Sequence, residues 1–243
     1  MTLLLKPSGK TIHMYISGVK VLISLPRRCL EMPPTRFVAF VCLGDSLTVG
    51  YQSPSPYGGY VETPYTDMLE PMARVRLQEL GLKGYEAFFV NKGINGDSTD
   101  GMLGRFRTSV EAERPDYVII WAGINDLYAG REPGQVMENL TRLYARTLEA
   151  GSKPIACTLT PTESDDHMNS RIRGLNALIT EHCDGEGIRI VDLFSSLVGP
   201  DGRLNPLYSD DGVHLSLQGY GAVARTMFDE VVTFILEELA ETS

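Results

Sequence analysis

Basic residues are scarce: 22 lysines and arginines stand against 31 aspartates and glutamates, giving a formal net charge of −9 over 243 residues. That balance excludes the electrostatic footprint of a nucleic-acid binder. Cysteine is equally sparse. The four, Cys29, Cys42, Cys157 and Cys183, are scattered, and no spacing among them matches a zinc site or a disulfide scaffold. Cys42 and Cys157 fall inside apolar runs, where a thiol packs as a small hydrophobe. No stretch reaches the length of a membrane span. Internal repeats and low-complexity tracts are missing, as is a Walker-type glycine–lysine pattern. These absences point to a protein with reduced thiols, a cytoplasmic setting, no integral membrane segment and no nucleic-acid partner.

The residues that are present, 43% hydrophobic and 22% charged, suit an ordinary globular domain large enough to bury a substantial core. The first 33 residues stand apart as an N-terminal extension. Residues 1–31 carry Lys6, Lys10, Lys20, Arg27 and Arg28 against Glu31 alone, a local +4 that leaves −13 for the remainder. They make a poor signal peptide, because Lys20 interrupts the apolar stretch and no small-residue cleavage site follows. Thr11–Ile16 and Val19–Leu25 alternate apolar residues around Ser17-Gly18, which predicts a β-hairpin. Such a hairpin would need a surface or a second subunit to cover it, so homo-oligomerisation through the extension is one expectation. The alternative is a dispensable segment, with the native start at Met32.

From residue 34 to 243 strand-like and helical patterns alternate. The runs 37–43, 86–91, 116–121, 154–159 and 188–192 read as buried strands. Helical patterns fall near 64–80, 99–113, 134–150, 168–184 and 217–240, punctuated by prolines and glycines. Strict alternation with short connections predicts an α/β fold: a three-layer α/β/α sandwich around a flavodoxin-like five-stranded parallel sheet of order 2-1-3-4-5. Long polar loops are predicted at 51–63, 122–133, 160–167 and 193–215.

Ligands of open parallel sheets bind outside the carboxyl ends of the strands, and reading only those ends yields few residues. Ser46 follows the first strand in Gly44-Asp45-Ser46-Leu47. The second strand leads into Asn91-Lys92-Gly93 and Asn95, the third into Gly123-Ile124-Asn125-Asp126, and the fifth toward Asp210-Asp211-Gly212-Val213-His214. The triplet alone carries little weight, since Gly96-Asp97-Ser98 repeats it where Asp97 or Ser98 reads as a helix cap. Asp45 reads as a residue that ties down its turn, and Asp126 as part of an Asx-type turn. His13, His167 and His182 fall in the extension, a polar loop and a helix.

Taken together, these blocks resemble the SGNH (GDSL) hydrolase superfamily, in its esterase and lysophospholipase-like branches, over roughly residues 37–240. The resemblance implies a serine esterase with Ser46 as nucleophile, His214 as base and Asp211 orienting the histidine. It assigns the oxyanion hole to the N–H groups of Ser46 and Gly93 and the side-chain amide of Asn125. It further implies carboxylic ester substrates with short or medium acyl chains and no metal or organic cofactor. The chemistry accounts for the residue types. A serine hydroxyl needs an adjacent base, the base needs a fixed tautomer, and the developing oxyanion needs preorganised donors. Tyr51 and Tyr57, just after the nucleophile, and Leu207 and Tyr208, just before the acid, are candidate substrate-binding walls.

Two other classes compete. A metal-dependent phosphoesterase also places Gly-Asp and Gly-Asn segments at strand ends, yet this rim offers only Asp45, Asn125, Asp126, Asp211 and one histidine to a metal pair. A non-catalytic binding module on the same fold would use the serine turn as an anion cradle. An acyltransferase would keep the chemistry and replace water with an alcohol.

Overall fold

The structure, a computed structural model, describes residues 35–53 and 61–242, together with the backbone of 7–8, 11–16 and 19–24. Five strands form the central sheet: β1 (Arg36–Gly44), β2 (Tyr85–Gly93), β3 (Tyr117–Trp121), β4 (Lys153–Cys157) and β5 (Arg189–Val191). Their order is β5-β4-β3-β1-β2 with every pair parallel. This is the 2-1-3-4-5 arrangement. The chain runs outward from β1 to β2, then crosses back over β1 to start β3. Apolar side chains on both faces explain why these runs seek the interior. All of β3 is buried, as are Phe40, Val41, Cys42 and Leu43 of β1. Phe40 stacks on Phe89 at 4.6 Å and on Tyr117 at 5.1 Å, fixing three adjacent strands through one ring.

Helices cover the sheet. They are α1 (Ser46–Val49), α2 (Tyr65–Glu79), α3 (Thr99–Phe106), α4 (Ile124–Tyr128), α5 (Pro133–Glu149), α6 (Asp166–Glu186), α7 (Leu193–Leu197), α8 (Leu217–Met227) and α9 (Thr233–Glu241). In one layer α2 packs against α8 and α9; in the other α5 packs against both α3 and α6. Local chemistry sets their starts. Ser98 caps α3 by accepting from Gly101 N–H, and Asp165 caps α6 by accepting from Met168 N–H. Glu132 and Gln135 form a capping box on α5, with Pro133 at the first turn.

Three expectations change in detail. The predicted loop 122–133 contains α4, and 193–215 contains α7 and a 3₁₀ turn at Pro206–Tyr208. Helices this short lack the length for an apolar period to declare itself. The helical pattern near 168–184 also starts earlier, so His167 lies in the first turn of α6, exposed. In the extension, Thr11–Ile16 pairs antiparallel with Val19–Ser24, in a sheet separate from the central one. Leu25 and Cys29 lie outside the described residues.

Candidate active site

β1 delivers the chain to Gly44, and Asp45 then turns it. The Asp45 carboxylate accepts the N–H of Leu47 at 2.9 Å, and its carbonyl accepts Thr48 N–H at 3.1 Å and Val49 N–H at 2.9 Å. Asp45 thus starts the one-turn helix α1, at whose head Ser46 sits, 8% exposed. Burial pushes the Asp45 carboxyl up to about 7; the nearby Asp97 and Asp126 add to the rise, and the Leu47 N–H opposes it.

His214 reaches the same point from the far end of the chain. Its Nε2 lies 3.1 Å from Ser46 Oγ, and its Nδ1 lies 2.8 Å from Asp211 Oδ2. The other oxygen, Asp211 Oδ1, accepts the backbone N–H groups of Val213 at 2.9 Å and His214 at 2.7 Å, so the carboxylate shapes the turn that carries the ring. Ser53 Oγ donates to Asp211 Oδ2 at 2.8 Å, a contact no motif announced. Burial raises the Asp211 carboxyl, but hydrogen bonds from the His214 ring, Val213 N–H, Ser53 and His214 N–H outweigh it and bring the group to about 2. An ionised Asp211 makes Nδ1 the protonated nitrogen and leaves Nε2 free to accept from Ser46. Asp210, its neighbour, is exposed.

Tyr51 sets its ring edge-on to His214, with centroids 4.6 Å apart, and its carbonyl accepts from Tyr220 OH at 2.7 Å. It therefore flanks the imidazole. Leu207 is 67% exposed and Tyr208 is half-buried against the core; Tyr57 lies outside the described residues.

The donors expected around Ser46 need one revision. Asn125 sits in the first turn of α4 with its Nδ2 donating to Asp97 O at 2.9 Å, and among the described residues its second amide hydrogen has no acceptor. Gly93 does not present its N–H to the rim: that group donates to Asn91 Oδ1 at 2.9 Å. Gly93 is instead a packing glycine. A Cβ there would stand 2.4 Å from Val49 N and 2.8 Å from Asp45 O, inside the backbone of the Ser46 turn. Three residues on, Gly96 adopts φ +73° in a turn closed by Asp97 N–H donating to Ile94 O at 3.1 Å. No acceptor for the Gly96 or Ser46 N–H occurs among the described residues. The signal that could have found Gly96 was the second Gly-Asp-Ser triplet, read only as a cap. Asp126 also differs from expectation. It is buried, accepting Thr99 N–H at 2.9 Å and Thr99 Oγ1 at 2.8 Å, and so joins α4 to α3 rather than closing its own turn.

Among the described residues no group of three or more histidine, cysteine, aspartate or glutamate side chains is arranged to hold a metal ion. No described helix is long and apolar enough to cross a membrane. A parallel α/β/α sandwich with a serine, a histidine and a carboxylate in one hydrogen-bonded line at its strand ends is the architecture of a serine hydrolase. The chain belongs to the GDSL-like lipase/acylhydrolase family, whose model matches residues 42–222. An arylesterase of Vibrio mimicus is 23% identical over 207 residues, covering 84% of this chain and 93% of that protein. Esterase TesA of Pseudomonas aeruginosa is 27% identical over 142 residues, covering 58% of this chain and 67% of TesA. Among solved structures, a mutant of Axe2, an acetyl-xylooligosaccharide esterase of a Geobacillus species, superposes with a TM-score of 0.64 at 22% identity, covering 79% and 93% of the two chains. The chain is a carboxylic ester hydrolase of the GDSL type.

Proposed function

We propose that this esterase works through an acyl-enzyme on Ser46. The observation that carries the reading is the unbroken line from Ser46 Oγ through both His214 nitrogens to Asp211 Oδ2. His214 Nε2 takes the serine proton as Oγ attacks the ester carbonyl, and Asp211 stabilises the imidazolium. The negative charge that develops on the carbonyl oxygen meets the N–H groups of Ser46 and Gly96 and the free amide hydrogen of Asn125. His214 then hands its proton to the departing alcohol. Water, deprotonated by the same imidazole, releases the acid and restores Ser46.

Carboxylic esters with short or medium acyl chains are the proposed substrates. Support comes from relatives named arylesterase and acetylxylan esterase; the Tyr51 ring beside His214 is proposed as one wall of the acyl site. Leu207 and Tyr208 are proposed to form the opposite wall, and Tyr57, outside the described residues, is proposed as a further substrate contact.

Ser46→Ala and His214→Ala should each lower kcat by roughly 10⁴-fold or more while the protein stays folded. Ester hydrolysis indifferent to both would end this reading in favour of a binding module. Activity should survive a strong chelator and be lost to a serine-directed organophosphate; the reverse pattern favours a metal-dependent phosphoesterase. A panel of p-nitrophenyl esters of graded length should give its highest kcat/KM at the short-to-medium end, and a maximum at long chains would overturn the acyl-size proposal.

A further inference from the structure

We propose that Arg105 is a positioning residue that locks the oxyanion-donating turns into one rigid unit, an inference that rests on the reading of Ser46 given above. The three proposed donors sit on three separate segments: Ser46 after β1, Gly96 after β2 and Asn125 after β3. The segments already touch: Ile94 N–H donates to Gly44 O at 3.1 Å, and Asn91 Nδ2 donates to Thr48 O at 2.6 Å. Arg105, near the end of α3, adds a charged side-chain link between them. Its Nε donates to Asp97 Oδ2 at 2.7 Å, its Nη2 donates to Gly44 O at 3.0 Å, and its Nη1 donates to Ser109 Oγ at 3.1 Å. One planar guanidinium thus grips the residue after Gly96 and the carbonyl two residues before Ser46. Asn125 joins the same unit, because its Nδ2 donates to the carbonyl of Asp97. Asp97 Oδ1 meanwhile accepts Ser98 N–H at 2.9 Å, so both carboxylate oxygens are committed.

Two physical points favour a positioning role over a generic staple. The pair is poorly hydrated, with the Arg105 and Asp97 side chains 15% and 10% exposed, where hydrogen-bonded charges hold geometry tightly. Only a fork of several donors can reach Asp97, Gly44 and Ser109 at once; a lysine ammonium at the end of a flexible stem cannot reproduce that geometry. Arg105 touches none of the reacting atoms. Its effect would come through the direction of the Ser46 and Gly96 N–H groups.

The test compares Arg105→Lys, Asp97→Asn and Ser46→Ala with the wild type on one p-nitrophenyl ester. Arg105→Lys should lose roughly 10- to 100-fold in kcat, because misplaced oxyanion donors act on the transition state. KM should stay within about threefold, since ground-state binding does not use those donors. Asp97→Asn should fall in the same direction. The rate at which an organophosphonate modifies Ser46 should drop in parallel, whereas the shape of the pH–rate profile stays fixed, because the Asp211–His214 pair is untouched. An Arg105→Lys enzyme that is folded and keeps kcat within about twofold overturns the inference; so does a loss that follows only the folded fraction measured by circular dichroism. If Arg105→Ala folds, added guanidinium should restore part of its kcat, and absence of rescue in a folded variant counts against the inference. Ser46→Ala separates the two levels. An inactive Ser46→Ala beside a fully active Arg105→Lys sinks the Arg105 role alone, while an active Ser46→Ala removes the serine mechanism itself.

Discussion

Ser46 and Ser98 end identical Gly-Asp-Ser triplets, yet one faces His214 and the other caps α3. Their substitutions should separate accordingly. Ser98→Ala should cost about 1 kcal/mol of stability in denaturant titration, the usual worth of a cap, with kcat nearly unchanged. Asp211 and Asp45 make opposite contributions to the pH dependence of stability. Asp211 is held at about 2, below its unfolded value of 3.8, so its contribution is fully present above that value and fades as pH falls through 2. Asp45 is raised to about 7, so it binds a proton in the fold that the unfolded chain has already released above 3.8. Its ionisation therefore costs stability increasingly between about pH 4 and 7. Asp45→Asn keeps an acceptor for Leu47 N–H, and its Tm relative to wild type should climb across that window in a scanning calorimeter; a flat difference would deny the burial penalty. Of the proposed site residues, Ser46, Asn125, Asp211 and His214 could be picked from the sequence because side-chain chemistry announces itself. Gly96 was not, because the direction of a backbone N–H is a property of the turn, and the Ser53–Asp211 contact joins residues 158 apart.

At the scale of elements, the five strands and the long helices were readable within a few residues, since apolar runs and their breakers are local. The one-turn helices α1, α4 and α7 were not, and two of the three carry Ser46 and Asn125. Their geometry comes from tertiary partners. α4 is tied to α3 through Asp126 and Thr99, and Thr99 in turn accepts from Asn139 of α5 at 3.0 Å. Removing the carboxylate in Asp126→Ala would leave the buried N–H and hydroxyl of Thr99 short of an acceptor. A loss of about 2–6 kcal/mol is expected, at roughly 1–3 kcal/mol for each of the two orphaned groups, as measured by chemical denaturation.

For the whole molecule, the sheet order followed from right-handed crossovers and the strand count, which leave few arrangements. The extension was less readable because nothing local says what covers it. The proposed site residues with described side chains all lie between Ser46 and His214, and the paired strands of the extension form a sheet of their own. Deleting residues 1–33 should therefore leave kcat/KM within about twofold of the full chain. Gel filtration of the two forms then reads whether the extension sets the native mass.

Ser46 and its partner His214 are separated by 168 positions. A ribosome adding about 5–20 residues per second needs roughly 10–30 s to cross that interval. On the proposed mechanism, the nascent chain holds Ser46 without its base throughout that time. On that reading the growing polypeptide should be silent toward esters around it, and a product truncated before residue 214 should stay silent. Hydrolytic potential, on the same mechanism, arrives only with synthesis of the segment that carries His214.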